Sequence, residues 1–199
     1  MVIVKDLENY TINQISGDYF SSSDSTSAHL TSDVINARLE SNTSPGAFSE
    51  TLRNQLSEYL HSGDTKRTTS PGDSGVVVRA NLSIKQDLLI SDIILPGLDQ
   101  FDSVTLNFDY REAQDSLVIL LNAPYINYSD QVLDSLHLNV IGTNQKLNFS
   151  AGWASIEAGP ISMQQFNLNG YAKENKLIMK LHAPEEEGSI IDIRTEMKI

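Results

Sequence analysis

The chain has 199 residues and is 40% hydrophobic, enough for one or two compact domains with a real core and too apolar for a disordered chain. A formal net charge of -12 and a pI near 4.6 set it against phosphate backbones, so nucleic-acid binding is not expected, and there is no Lys/Arg cluster of the kind that docks on an anionic bilayer. With no cysteine, disulfides, thiol catalysis and Cys-based metal sites are excluded.

No apolar stretch approaches the ~18 residues of a membrane helix. Met1-Val2-Ile3-Val4-Lys5-Asp6 lacks the basic leader and long apolar run of a signal peptide, so the protein is either cytosolic or a part whose targeting segment lies elsewhere. Residues 1–43 read as short strands and turns. Val2 to Leu7 is a plausible first strand, Ser21-Ser22-Ser23-Asp24-Ser25 a polar loop, and Ile35, Ala37 and Leu39 alternate with polar neighbours as a half-buried strand does. Ser44-Pro45 then places a capping hydroxyl before a proline at the first helical position. Phe48, Leu52, Leu56, Tyr59 and Leu60 follow at helical spacing and His61-Ser62-Gly63 supplies the stop, which predicts an amphipathic helix packed on a sheet or plugging one end of it.

Residues 62–75 hold no apolar side chain and read as a linker or long hairpin loop, separating an N-terminal unit, 1–61, from a strongly β region, 76–199. Val76, Val78, Ala80, Leu82 and Ile84 alternate with Val77 and polar residues; Leu88 to Leu95 suits a short helix and a strand equally, and Pro96-Gly97 ends it.

From residue 104 the chain repeats itself, as VTLNFDYREAQDSLVILLNAP (104–124), LHLNVIGTNQKLNFSAGWA (136–154) and FNLNGYAKENKLIMKLHAP (166–184). Leu117, Leu147 and Leu177 correspond at intervals of 30, and Leu106, Leu138 and Leu168 at 32 and 30. Each unit reads as a hairpin plus a return loop. Because a lone hairpin is marginal in water, successive units are expected to pair edge to edge into a long antiparallel meander. The tail, through Ile191, Ile193, Thr195, Met197 and Ile199, has no capping signal and reads as a cut through a continuing array.

The fold class expected is therefore all-β, mainly antiparallel, with one amphipathic helix. Alternation puts Val104, Leu106, Phe108, Tyr110, Leu117, Ile119, Leu121, Leu136, Leu138, Val140, Leu147, Phe149, Trp153, Phe166, Leu168, Leu177, Met179 and Leu181 on one apolar face. The other face carries Thr105, Asn107, Asp109, His137, Asn139, Asn148, Ser150, Asn167, Asn169, Lys180 and His182. A single helix covers roughly 10 Å of sheet width, about two strand spacings. The sheet is thus expected to curl, either into a filled sandwich or barrel or into a trough with apolar walls.

SDVINARLESNTSPGAFSETLRNQLSEYL (32–60) and ANLSIKQDLLISDIILPGLDQFDSVTLNFDY (80–110), with DSLVILLNAPYINYSDQVLDSLHLNV (115–140) and NKLIMKLHAP (175–184), resemble the TamB proteins of Bacteroidetes, within the broader AsmA-like group. The resemblance covers the chain from about residue 25 onward and rests on an ordered pattern rather than a short signature. It implies an elongated, taco-like β-groove in the periplasm, part of an inner-membrane-anchored protein whose anchor is not in this chain. It also implies carriage of phospholipid acyl chains between inner and outer membranes, or help in outer-membrane β-barrel assembly with a BamA- or TamA-like partner reached through parts of the protein not present here. The apolar face, Tyr110 aside, would then line the lipid groove.

The remaining candidates for chemistry are weak. Gly72-Asp73-Ser74-Gly75 echoes a serine-protease nucleophile motif, but Val76-Val77 replaces its usual continuation and no base-bearing segment accompanies it. His29, His61, His137 and His182 have no metal-ligand spacing, Glu185-Glu186-Glu187-Gly188 reads as a solvated hairpin tip, and Asp99, Asp102 and Asp109 form no compact pair. No catalytic residue, metal or cofactor is expected. The alternatives to a lipid conduit are a scaffold that templates client strands at a sheet edge, a structural β-spacer, and an adhesive or carbohydrate-binding sandwich, which would want loop aromatics.

Overall fold

The computed structural model describes residues 2–5, 8–60, 75–143, 146–184 and 190–198. A short hairpin, β1 (Val2–Lys5) and β2 (Glu8–Thr11), pairs with itself as a small separate sheet. A 12-stranded antiparallel sheet follows, made of β3 (Ile15–Ser21), β4 (Thr26–Ser32), β5 (Ile35–Ser41), β6 (Val77–Ile84), β7 (Leu98–Phe101), β8 (Val104–Arg111), β9 (Ser116–Tyr128), β10 (Gln131–Thr143), β11 (Lys146–Ala158), β12 (Ile161–Lys173), β13 (Lys176–Pro184) and β14 (Ile190–Lys198). Apart from β7, which pairs with β9 off this path, the strands lie in chain order from β3 to β14, so the meander expected from the repeats forms, and the sheet does not close into a barrel. The sheet is continuous across β5 and β6, which flank the helix α1 (Pro45–Leu60) and residues 61–74. The linker, apart from Gly75, lies outside the described residues, as do Leu7, His61 and the run Glu185–Gly188.

Turn chemistry sets the register. Ser129-Asp130 and Glu174-Asn175 each put two successive residues at positive φ, 49° and 63°, then 50° and 60°. That is the signature of two-residue turns whose twist suits a hairpin. Between β11 and β12 the turn is Gly159-Pro160, with Gly159 at φ 57°.

The helix starts where the sequence places it: the Ala47 N–H donates to Ser44 Oγ at 3.3 Å and the Phe48 N–H to the Ser44 carbonyl at 3.0 Å. It does not lie along the strands. The Phe48 ring meets those of Phe108 and Tyr110 on β8 edge-on, both at 5.8 Å between centroids. Tyr59, about three turns on, stands over Gly142 of β10, and the helix also contacts β12. A helix of this length, ~24 Å, thus crosses about five strand spacings instead of two. Gln55 Nε2 donates to Tyr59 Oη at 2.8 Å, with both side chains buried. The ambiguous stretch 88–95 resolves as a helical turn with a π-bulge, Ile90–Ile94, halted at Gly97 with φ 97°. Ile90 packs with Val34, Leu98 and Phe101, and Leu89 with Tyr10 and Ile12 of the first hairpin. Tyr10 Oη donates to Asp92 Oδ2 at 2.9 Å, which ties that hairpin to the π-turn.

The expected return loops are corrected. β9 runs past residue 124 to Tyr128, β10 begins at Gln131 and not at 136, β11 runs past 154 to Ala158, and β12 begins at Ile161. What ends the regular alternation is a crease across the sheet. The ladders skip the pairings of Pro124 with Ser135, of Ser135 with Ala154 and of Ala154 with Gln165, and on the same line β7 breaks from β8 at 102–103. Proline lacks the ladder donor, and Ser135 and Gln165 sit at φ 58° and 53°. Their carbonyls accept from side chains two residues on, from His137 Nδ1 at 3.4 Å and Asn167 Nδ2 at 3.3 Å. Gly152 lies between those two side chains; a Cβ there would meet His137 Cε1 at 2.8 Å and the Phe166 carbonyl oxygen at 2.6 Å. Beyond the crease the apolar phase shifts by one residue, to a row Phe101–Ile126–Leu133–Ile156–Met163 paired strand to strand.

A Cβ on Gly142 would fall on the Tyr59 hydroxyl. Gly142→Ala is therefore expected to lift the end of the helix and destabilise the protein by about 2 kcal/mol, read by urea unfolding. In a Tyr59→Leu background the same change should cost much less; equal losses in both backgrounds would show that Tyr59 is not the obstacle.

Candidate functional site

Register aligns the apolar residues into rows that run across the strands, at right angles to the chain. One row is Leu30–Ala37–Leu82–Leu106–Leu121–Leu138–Ala151–Leu168–Leu181–Ile193, each residue paired to the next. Beside it runs Ala28–Leu39–Ala80–Phe108–Ile119–Val140–Phe149–Gly170–Met179–Thr195. A third, Val78–Tyr110–Leu117–Gly142–Leu147–Ala172–Leu177–Met197, lies under or beyond the helix. Two-residue alternation puts all three on one face.

Burial divides this face. In the helix row Val78, Tyr110, Leu117 and Ala172 are 2% exposed or less. Phe108, Ile119 and Leu147 pack against the same cluster as Phe48, Leu52 and Leu56 of the helix. Of the predicted groove residues Leu117 is the one the structure moves: it is a core residue beneath the helix and not part of an open floor. The others, Val104, Leu106, Phe108, Ile119, Leu121, Leu136, Leu138, Val140, Leu147, Phe149, Trp153, Phe166, Leu168, Leu177, Met179 and Leu181, are half-buried. The central rows thus form a floor with the helix along one border and the crease along the other. At the β5–β8 end, Ile35, Ile84 and Val104 pack against the cluster of Ile90, Leu98 and Phe101.

Trp153 and Phe166 mark the crease border. Their rings stack at 3.9 Å between centroids and 7° between planes, on paired positions of β11 and β12. The Trp153 indole N–H is buried and has no hydrogen-bond partner among the described residues. Indole donors normally find one.

The opposite face is mixed: it carries the polar residues, with His137 and His182 among them as expected, together with Val118, Leu120, Ile141, Tyr171 and Ile178. Asp109 binds Arg111 Nε at 2.7 Å and Arg79 Nε at 3.4 Å. These guanidiniums, Arg111 first, hold its carboxyl below the usual carboxylate range against a smaller opposing effect of burial. Glu40, held low by Arg38, and His29 extend the network, with His29 Nδ1 3.4 Å from Asp18 and Nε2 3.8 Å from Glu40. No group of three or more His, Asp or Glu residues among the described residues is placed to hold a metal ion, and no helix among them is long and apolar enough to cross a membrane. The match to a protease nucleophile, at 72–75, falls outside the described residues but for Gly75.

Compared with known proteins, the chain matches no family model, no curated protein and no solved structure. What the surface does must be argued from its own geometry.

The helix-covered row, the crease and the phase-shifted row were missed by sequence reasoning. A signal existed: Ala123-Pro124 and Ala183-Pro184 close corresponding strands of two repeats, and a proline in a central strand flags a break in pairing.

Two outcomes follow from this geometry. Nile red should bind the wild type with blue-shifted emission, and Leu138→Asp should cut that signal several-fold. Leu120→Asp, exposed on the polar face, should leave it unchanged; equal loss from both would sink the assignment of faces. For Asp109 the folded pKa is depressed, so its contribution to stability is full above the unfolded carboxylate value of about 3.9. It is lost as pH falls through the lower folded value. The stability gap between wild type and Asp109→Asn should accordingly be widest near neutral pH and close in acid, as followed by urea unfolding across that range.

Proposed function

We propose that this chain is a segment of a TamB-type, AsmA-like protein whose apolar floor carries phospholipid acyl chains between the inner and outer membranes. The observation that supports the reading is the half-buried central rows. Leucine, isoleucine, phenylalanine and methionine line up across the sheet, and the helix packs on the border row and on Leu39, Phe108 and Ile119 of the next but leaves the row of Leu106, Leu121, Leu138 and Leu168 outside its cluster. A path of eleven strands at ~4.8 Å spacing makes this floor about 50 Å long, more than an extended acyl chain needs. Each methylene removed from water there contributes roughly 0.8 kcal/mol. Such cargo needs no reacting group. The unpaired Trp153 donor at the border suits an ester or phosphate oxygen, so head groups would ride at the crease with tails over the leucine rows. Residence between the two membranes, and a BamA- or TamA-like outer-membrane partner engaged through other parts of the protein, belong to the same proposal.

A second reading, strand addition to a client of outer-membrane β-barrel type, is favoured by one feature. The edge strand β3 is exposed along its whole length, with Ile15, Tyr19 and Phe20 each at least 50% exposed.

Trp153 is the chain's single tryptophan, so its fluorescence reports on the floor alone. Phosphatidylethanolamine with brominated acyl chains should quench it strongly, the unbrominated lipid should not, and Leu138→Asp should abolish the quenching. Emission indifferent to the brominated lipid would overturn the conduit. Photo-crosslinkers separate the two readings: at Leu138 they should capture lipid, whereas a scaffold would capture polypeptide at Tyr19.

A further inference from the structure

The polar face of the sheet is not uniform. Across β10 to β12 part of it is spent on the protein itself, as Asn139 Nδ2 donates to Ser150 Oγ at 3.3 Å and His137 and Asn167 close the crease carbonyls, while the side chains of Asn148 and Asn169 make no hydrogen bond to a described residue. Across β3 to β8 the same face is hollowed into a cleft of about 630 Å³, within the range of small-ligand sites. Two neighbouring rows floor it. Thr31–Asn36–Ser83–Thr105 form one, and Asn81–Asn107 belong to the other. These six side chains make no hydrogen bond to any described residue. Three amides and three hydroxyls therefore face one concavity with both donors and acceptors unspent.

The charges at the cleft are tied down. Asp18, His29 and Arg38 border it, but Arg38 is paired with Glu40, and His29 stands between Asp18 and Glu40. An ion would find little net field to select it, despite the acidity of the whole chain. Phe20 shares the face of Asp18 on β3, two residues along, and is 58% exposed. Phe20 is not one of the residues lining the cleft; its ring lies past Asp18 at the β3 edge, where a ligand longer than the cleft would meet an apolar platform.

We propose that this cleft binds an uncharged oligosaccharide. Hydroxyls that each donate and accept match a floor of amides and hydroxyls, and the C–H face of a pyranose ring matches the exposed Phe20. Neutral hydrogen-bonding groups without net charge are what a polyhydroxyl ligand needs and what an ionic one does not. The site lies on the face opposite the apolar floor, so it stands or falls independently of lipid binding.

The test is calorimetric titration of the purified chain with chitohexaose, cellohexaose, maltohexaose and mannohexaose. At least one should bind, and the double variant Asn81→Ala/Asn107→Ala should weaken that binding about tenfold or more. Asn139→Ala, on the same row but outside the cleft, should bind as the wild type does. Thr105→Val is a second probe should the double variant lose its circular-dichroism spectrum. Absence of binding to all four sugars at millimolar concentration would overturn the proposal, as would equal loss from Asn139→Ala.

Discussion

Each feature of this sheet depends on register. In an antiparallel ladder a slip of one residue sends every side chain of a strand to the other face. Here the rows stay continuous from β4 to β14, which requires every turn between them to hold its count. The paired positive-φ residues Ser129-Asp130 and Glu174-Asn175 do so locally. Between β6 and β8 no tight turn is available, and the connection is long. There the π-turn, Leu98 and Phe101 bury against Val34 of the preceding hairpin turn, and hydrophobic packing fixes what turn geometry cannot.

The crease is where register and alternation part company. Cα pairing resumes on the far side with the same partners in step, yet the apolar side chains move to the other parity: Leu136 and Leu138 on one side, Leu133 on the other. Residues at positive φ in β10 and β12, a proline in β9 and a break between β7 and β8 fall on one line. Four neighbouring strands bend together, and none is left straight to strain the others. Carbonyls turned out of the ladder are taken by His137 and Asn167, so the bend leaves few unpaired groups. Gly152 gives those two side chains the room they need.

This explains which parts were legible in the sequence. Strict two-residue alternation in 104–111, 116–123, 136–142 and 147–153 identified strands, face and hairpins, because each stretch obeys one period. Pro45 and the Phe48–Leu52–Leu56–Tyr59 stripe identified the helix. The return segments were read as loops because the period breaks at Pro124 and Ser135 and resumes out of phase, and a pattern that changes parity is no pattern to a fixed template. The path of the helix was illegible for a different reason. Whether sixteen residues lie along strands or across them is decided by what they meet, and Gly142, the absence of a side chain, is what admits Tyr59. Alternation put the residues predicted to line a groove on one face, as the register does, but could not see that Leu117 and its neighbours are spent on holding the helix.

An apolar floor open to water is not neutral for a protein. Monomers seldom expose a contiguous apolar patch of more than a few hundred Å² without a partner for it, and larger ones drive association. This chain carries such rows between a helix that covers one border and a crease that turns the sheet, and among the described residues the edge strands β3 and β14 each pair on one side. The acidic charge keeps copies apart at long range, but screening confines that repulsion to within about 10 Å at ordinary salt, so it does not satisfy the floor itself. The remaining ways to satisfy it are closure of the sheet on itself or an apolar occupant. Closure would bury the leucine rows to the degree of Val78 and Leu117, whereas Leu106, Leu121, Leu138 and Leu168 are only partly buried. The hydrocarbon chain proposed above would be such an occupant, since it fits no fixed polar pattern and gains from every methylene removed from water.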